Sequence, residues 1–341
     1  MSDSKNRVIS KIAIVKLSAM GDVIHAMVAL QYIRKQYPNV QIDWIVESAF
    51  AAVLEHNPHI NNIYKVNLKQ IKKDKLSIFK QIKLIKEYSY NKYDLVIDAQ
   101  GLFKSAMVSK LLKAPIAGFD KYSTREKIAS SFYTDKISIA YDANTIDRNA
   151  KVMSTALGFE ISRDNILNKE PFLFYQDENK TLDEYLCAEK KNILFVVGAS
   201  WSSKIYSKEK FAKIANSMNE NCLIVWGSAE EKEMAEFIAS NSCAKVLPKL
   251  DLNALKAVIS KADLVIGNDT GPTHMAWALN VPSITLFGNT PGYRNTYLTD
   301  INKVIESDTE VNPCKLDRND FSITQIEEEK IIEAAKSLLN G

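Results

Sequence analysis

The sequence lacks both common nucleotide-binding fingerprints. No GxGxxG follows the first apolar strand pattern, and GxxxxGK[ST] occurs nowhere in the 341 residues. These motifs cradle the phosphates of dinucleotides and nucleoside triphosphates, so their absence argues against a conventional dehydrogenase and a P-loop ATPase. There is also no HExxH motif and no cluster of carboxylates with histidine. We therefore expect neither a metal nor a cofactor.

Paired cysteines and long apolar runs are missing as well. The four cysteines (Cys187, Cys222, Cys243, Cys314) are scattered without CxxC spacing, which favours neither a metal knuckle nor a disulfide framework. No apolar run reaches the roughly 18 residues that span a bilayer. The N-terminal MSDSKNRVIS lacks the apolar core of a signal peptide. A reducing cytoplasm is the expected compartment.

What the chain does contain is a repeated alternation of strand and helix patterns. A chain of 341 residues is too long for one ordinary core, so two domains are expected. Apolar strands alternating with helices indicate parallel sheets covered on both faces, and the two series predict two Rossmann-like α/β domains facing across a cleft. The strands are predicted at 11–17, 41–46, 60–66, 94–98 and 115–119, then 192–198, 222–227, 244–247, 263–267 and 283–288.

The predicted boundaries follow from a polar stretch at about 165–190. We expect an N-terminal domain at 1–175 and a second domain at 186–322. Residues 323–341 form a C-terminal helix, for which the first domain is one candidate packing surface.

Charge is concentrated in one segment although the net charge is only +3. Residues 65–92 hold nine lysines against two acids, a net charge of +7, interleaved with apolar residues such as Leu76 and Phe79. Such a run is most often a solvated helix face, but a basic amphipathic helix can also lie on anionic lipid.

Ligands of parallel sheets bind beyond the carboxyl ends of the strands, so the loops after strands are the candidate sites for chemistry. GNDTGPTHMAWAL at 267–279 follows one strand and opens a helix. Thr270 and the free N–H groups near Gly271 suit a diphosphate at the positive helix end, and His274 is positioned to donate to it. A capped helix and a packing histidine are the alternatives.

Two further loops of the second half carry matching groups. GASWSSK at 198–204 offers Ser200 and Lys204 to phosphate, and WGSAEE at 226–231 offers acids to ribose hydroxyls. A solvent-exposed lysine and an acidic first helical turn are the alternatives. Together the three loops predict a nucleoside-diphosphate site.

In the first half, KLSAMGDVIHA at 16–26 places Asp22 in the turn between a predicted strand and a predicted helix. An N-cap is one explanation. Nearby loops are basic, with Lys121 and Arg125 as candidates for an anionic acceptor. A carboxylate facing such a pocket suits proton removal.

With these residues described, the chain resembles glycosyltransferase family 9, the lipopolysaccharide heptosyltransferases. The resemblance covers most of the chain and rests on KLSAMGDVIHAMVAL, IDAQGLFKSA, GFDKYSTREKIASSFY, WGSAEE, VLPKLDL and NDTGPTHMAWALNVPSITLFGNTP. It implies a GT-B fold and inverting transfer of L-glycero-D-manno-heptose from ADP-heptose to Kdo of Kdo-lipid A. The S-x-M-G-D-V-x-H loop favours members that add the first heptose.

The resemblance also implies residue roles. Asp22 is the catalytic base. The implied donor-binding residues are Lys16, Ser200, Lys204, Glu231, Leu250, Asp269, Thr270, Gly271 and His274, and the implied acceptor-binding residues are Lys69, Lys72, Lys73, Lys121 and Arg125. The expected partners are ADP-heptose, Kdo-lipid A and the anionic inner-membrane surface. A monomer that is peripheral on its cytoplasmic face and binds no nucleic acid is expected.

Three other functions remain open from the sequence. One is another heptosyltransferase of the family, adding the second heptose. Another is a nucleotide-sugar epimerase of the same two-domain architecture, which leaves the +7 segment unexplained. The third is a sugar-binding protein, for which a signal peptide is needed.

Overall fold

The computed structural model describes residues 9–176 and 182–340. The chain divides into two compact units, Met1–Phe172 and Leu173–Gly341. Each unit has its own parallel sheet and its own buried apolar cluster.

The first unit is built on six parallel strands in the order β3-β2-β1-β4-β5-β6. The central strand β1 pairs with β2 on one side and β4 on the other. Its core residues are almost all buried, as expected for a strand covered on both faces. The strands are β1 Lys11–Val15, β2 Gln41–Glu47, β3 Asn62–Val66, β4 Leu95–Asp98, β5 Ile116–Phe119 and β6 Asp135–Ile137.

Helices and short 3₁₀ turns connect these strands. Helices α4 and α5 pack against each other, whereas α1 and α2 pack against α6. The helices are α1 Met20–Met27, α2 Ala29–Gln36, α3 Ala51–Leu54, α4 Ser77–Tyr88, α5 Phe103–Leu111, α6 Thr145–Ala156 and α7 Arg163–Leu167. The 3₁₀ segments are Ser48–Phe50, Leu68–Lys72, Ser89–Asn91 and Lys127–Phe132.

The second unit repeats the arrangement with a sheet in the order β12-β11-β10-β7-β8-β9. Its strands are β7 Asn192–Val196, β8 Asn221–Val225, β9 Lys245–Val246, β10 Leu264–Asn268, β11 Ser283–Phe287 and β12 Asn302–Glu306. Its helices are α8 Lys208–Met218, α9 Ala229–Ser240, α10 Leu252–Ser260, α11 Gly271–Ala278, α12 Gly292–Asn295 and α13 Glu328–Asn340. Two 3₁₀ segments, Ser202–Lys204 and Ser322–Gln325, pack against each other.

The two parallel α/β sheets confirm the predicted fold class, and the C-terminal helix has a defined partner. Helix α13 packs against α8 and the strands β10, β11 and β12 of the second unit. Its buried residues Ile331 and Ala335 join the apolar cluster of that unit. Packing of this helix on the first domain stays a prediction.

The basic segment 65–92 folds as the end of β3, a 3₁₀ turn and helix α4. Ile85 is buried against the unit's core, while Leu76 and Phe79 remain 72% and 69% exposed. Across residues 9–176 and 182–340, we find no helix that combines the length and the apolar character needed to cross a membrane.

Candidate active site

In each sheet the first three strands are added to one side, and the fourth then pairs with the other side of the first strand. In the first sheet this change of direction lies between β1 and β4, and in the second between β7 and β10. The loops after two such strands diverge to opposite faces and leave a crevice, which is where open α/β sheets bind ligands. The predicted site residues Asp22, Lys204 and Asp269 all follow these strands.

Asp22 lies in the first turn of α1, directly after β1. The N-cap residue is Ala19, so the N-cap assignment considered for Asp22 is wrong. Instead the Asp22 Oδ2 atom accepts a hydrogen bond from the Ala19 N–H at 3.2 Å, the reciprocal half of a capping box. The residue is half-buried, and its Oδ1 atom accepts no hydrogen bond from the residues that the structure describes.

The loop before Asp22 is held by Gln100, a residue that no sequence motif indicates. Its side-chain Oε1 accepts hydrogen bonds from the N–H groups of Leu17 and Ser18, both at 3.1 Å. Asp98, fully buried at the end of β4, accepts from the Gln100 N–H at 2.9 Å and thereby shapes the turn. Burial raises the pKa of the Asp98 carboxyl, against hydrogen bonds that lower it.

A buried network surrounds Asp269 at the end of β10. The Lys204 Nζ atom lies 2.5 Å from Asp269 Oδ2, and the His274 Nε2 atom lies 3.0 Å from Oδ1. The Thr290 hydroxyl donates to Oδ2 at 2.8 Å. The structure thus brings together three predicted donor residues and adds Thr290, whose only sequence signal is its place after the buried strand β11.

Two opposing effects act on the Asp269 carboxyl. Its burial raises its pKa, but the charge of Lys204 and the hydrogen bond from His274 outweigh this effect. The net result is an Asp269 pKa well below its usual range. This carboxylate therefore stays charged in the folded protein. Its ion pair holds the Lys204 side chain at the end of the loop that follows β7.

Helix α11 begins beside this network. Thr270 is its N-cap residue, Gly271 its first helical residue and Pro272 its second. The Thr270 side chain makes no hydrogen bond to the first helical turn within the described chain. The Thr273 hydroxyl donates to the Asn268 carbonyl at 2.8 Å, which ties the helix to the strand before it. The first turn of α11 thus presents N–H groups at the edge of the sheet.

Glu231 occupies the neighbouring position after β8. Its Oε2 atom accepts from the Gly227 N–H at 2.6 Å and from the Ser228 N–H at 3.3 Å, closing a capping box with Ser228. A side chain on Gly198 would overlap the Glu231 carboxylate, so glycine allows the loop after β7 to approach it. Leu250 is half-buried just before α10.

The remaining predicted donor residues have different surroundings. Ser200 is exposed in the loop after β7. Lys16 is only 5% exposed, and its Nζ donates to the Ala99 carbonyl at 3.0 Å and to Asn149 Oδ1 at 3.2 Å. Its ammonium is therefore engaged within the first unit, and a contact with the donor phosphate stays a prediction.

The five predicted acceptor residues form two groups rather than one cluster. Lys69, Lys72 and Lys73 follow β3, whereas Lys121 and Arg125 follow β5, and all five are exposed. Each group lies two strands from β1, or about 10 Å at the usual strand spacing. Asp22 thus lies between two groups of positive charge on one sheet edge.

Comparisons with known proteins agree with this arrangement. A sequence model described as glycosyltransferase family 9 (heptosyltransferase) matches residues 81–322. Lipopolysaccharide heptosyltransferase 1 of Campylobacter coli is 38% identical over 96% of this chain and 98% of its own length. The Pseudomonas aeruginosa protein of the same description is 31% identical over 84% of this chain and 81% of its own length.

Solved structures give the same result for the fold. The structure of E. coli heptosyltransferase WaaC with ADP superimposes with a TM-score of 0.78 at 26% identity. The match covers 96% of this chain and 99% of that one. E. coli ADP-heptose heptosyltransferase II, at 19% identity, matches in fold with a TM-score of 0.72 over 97% and 98% of the two chains.

Proposed function

This chain belongs to glycosyltransferase family 9, the heptosyltransferases, and from this membership we propose how its two sheet edges serve the reaction. The protein is an enzyme that transfers heptose in the synthesis of the lipopolysaccharide inner core. In our proposal L-glycero-D-manno-heptose passes from ADP-heptose to Kdo of Kdo-lipid A with inversion. The observation that carries the proposal is the placement of Asp22 and of the Lys204–Asp269 pair. Each follows a strand where its sheet changes direction, β1 in the first sheet and β7 and β10 in the second.

On the acceptor side, Asp22 is the general base. The Kdo hydroxyl attacks the anomeric carbon of the heptose, and its proton passes to the Asp22 carboxylate as the new C–O bond forms. The Oδ1 atom is the acceptor of this proton, since Oδ2 is bonded to the Ala19 N–H. Lys69, Lys72, Lys73, Lys121 and Arg125 attract the carboxylates and phosphates of the acceptor.

On the donor side, the bond from the anomeric carbon to the phosphate oxygen breaks and ADP leaves with added negative charge. Lys204, Ser200 and the first turn of α11 stabilise this charge, and each fixed donor of this kind is worth a few kcal/mol. Asp269 and His274 contact the heptose, Glu231 the ribose or heptose, and Leu250 the adenine. The proposed reaction requires no metal ion or cofactor.

The direct test is an assay with purified protein, ADP-heptose and Kdo-lipid A. We expect a heptosylated lipid, detected by mass spectrometry, and one free ADP per heptose transferred. An acceptor that already carries one heptose serves as the comparison and tests addition of the second heptose. Release of ADP without a heptosylated lipid would contradict the proposed acceptor.

We also propose that the enzyme works as a peripheral monomer on the cytoplasmic face of the inner membrane. The surface that supports this is an apolar and basic face formed by the first turns of α4 and α5 and the 3₁₀ segment Lys127–Phe132. Its exposed apolar residues are Leu76, Phe79, Phe103 and Ile128, and the lysines Lys80, Lys83, Lys104 and Lys127 lie among them in the sequence. Apolar side chains interspersed with positive charge fit an anionic bilayer.

Cosedimentation with vesicles tests this face. We expect binding to vesicles of phosphatidylglycerol and phosphatidylethanolamine, and weaker binding to phosphatidylcholine alone. The double variant Leu76→Glu and Phe79→Glu should bind the anionic vesicles about tenfold less. Leu298→Glu is the matched control, because Leu298 is also exposed, at 63%, but belongs to the second unit. Equal loss in the control would contradict the assignment of the face.

A further inference from the structure

We propose that Arg318, held on the ring of Trp201, is a further binding residue for the diphosphate of the nucleotide sugar. The inference deepens the proposed function and rests on the donor site described for the second unit. Arg318 is exposed in the segment between β12 and the 3₁₀ segment Ser322–Gln325. Nothing in its sequence neighbourhood, KLDRND, points to phosphate binding.

The first observation is a stacking contact. The guanidinium carbon of Arg318 lies 4.3 Å from the centre of the Trp201 ring. Trp201 belongs to the loop after β7, and the Nζ atom of Lys204 lies 5.0 Å from the same ring centre. Arg318 and the proposed phosphate lysine therefore border one aromatic ring, although they are 114 residues apart in the sequence.

A second observation concerns the backbone on which Arg318 is carried. The buried Asn289 side chain donates through Nδ2 to the Asp317 carbonyl at 2.9 Å and to the Ser203 hydroxyl at 2.7 Å. One amide group thus links the residue before Arg318 to the residue before Lys204. The stacking contact is consequently supported by a fixed link between the two segments.

Charge balance supplies the third observation. The carboxylates of Asp269 and Glu231 lie at this sheet edge. Among the predicted donor residues of this unit, the lysine is Lys204, and it is already paired with Asp269. A diphosphate brings two further negative charges, and ADP gains another as it leaves. Without an additional cation, the site would carry excess negative charge once the donor is bound.

Arg318 can supply the positive charge that the donor site lacks. Within residues 9–176 and 182–340, its guanidinium forms no ion pair and no side-chain hydrogen bond, so its five N–H donors remain available to a ligand. The nearby carboxylates of Asp317 and Asp320 accept backbone N–H groups of Asn319 and Ser322. Stacking on an aromatic ring leaves the edge of a guanidinium free for bidentate contact with phosphate.

Calorimetric titration of the full chain with ADP and with adenosine tests this proposal. Arg318→Ala should weaken ADP binding about 10- to 100-fold, the range for hydrogen bonds to a charged group. Adenosine lacks the diphosphate, so its affinity should change less than about twofold. Arg318→Lys should retain part of the ADP affinity, since it keeps the charge and loses the bidentate geometry. Lys315→Ala, an exposed lysine on the same segment, is the control and should bind ADP normally.

The outcomes separate this proposal from the function on which it rests. Unchanged ADP affinity in Arg318→Ala overturns the role of Arg318 and leaves heptose transfer intact. An equal loss for adenosine also overturns it, because the residue would then act on the fold of the loop. If the unsubstituted protein bound no ADP, both proposals would fail together.

Discussion

Asp22→Asn is expected to lower the rate of heptose transfer by about 10²- to 10⁴-fold, the range for removal of a general base. The amide oxygen of asparagine can still accept the Ala19 N–H, so the start of α1 is preserved. In our proposal ADP binds at the other sheet, so its affinity should not change. The measurement is the turnover number with ADP-heptose and Kdo-lipid A, together with the ADP dissociation constant.

Asp22→Ala is the matched comparison for this substitution. It removes both the base and the hydrogen bond to Ala19, and so separates the two roles of the carboxylate. If Asp22 served only the helix terminus, alanine would impair the enzyme and asparagine would not. Near-normal turnover of Asp22→Asn would therefore refute the catalytic assignment.

Lys204→Met should give the largest loss of stability among the site substitutions. It leaves the Asp269 carboxylate buried without its cation, and breaking a buried pair in this way costs about 3–5 kcal/mol. For a unit of this size that corresponds to a fall in melting temperature of about 6–20 °C. His274 and Thr290 still contact the carboxylate, which favours the lower end of the range. Thermal unfolding followed by circular dichroism provides the measurement.

A double variant tests whether the loss of stability comes from the unpaired charge of Asp269. Lys204→Met with Asp269→Asn removes both charges and should recover most of the melting temperature, because no buried ion is left uncompensated. Transfer activity should be absent in both variants, since we propose that Lys204 stabilises the leaving group. A double variant as unstable as the single one would contradict the charge argument and indicate a packing defect.

The pH dependence of this effect follows from the depressed pKa of Asp269 in the folded protein. A carboxyl group with a lowered folded-state pKa stabilises the fold fully above its unfolded pKa of about 4, and this stability is lost as the pH falls toward the folded value. The difference in unfolding free energy between the unsubstituted protein and Lys204→Met should thus shrink below pH ~4. A difference that stayed constant with pH would argue against an ionic origin.

The fold could be predicted from strands that are buried on both faces. The strands and helices that the sequence does not reveal have identifiable causes. Strands β6 and β12 were missed because they lie at sheet edges and carry polar residues. Helix α6 buries Arg148, Asn149 and Ser154, and these polar residues interrupt the apolar period that would reveal it. Helices α1 and α2 meet at Val28, and the continuous apolar period of this segment does not reveal the break.

The site residues divide in a similar way. Asp22, Lys204 and Asp269 could be found because each follows a strand, and the sheet places strand ends together. Gln100, Thr290 and Arg318 act through partners far away in the sequence, so their positions carry no local signal. Lys16, whose role is implied by the family resemblance, is buried and bonded within its own unit, so its contact with the donor phosphate stays a prediction.

The two sheets share one strand order, with the change of direction beside the first strand of each, between β1 and β4 and between β7 and β10. Each unit has its own apolar cluster, so each sheet edge is supported by a core of its own unit. If donor and acceptor bind at different sheets, as we propose, the choice of nucleotide and the choice of acceptor can change separately during evolution. The same modularity lets an engineer exchange the loops of one unit to recruit a new sugar acceptor while the machinery for the activated sugar is retained.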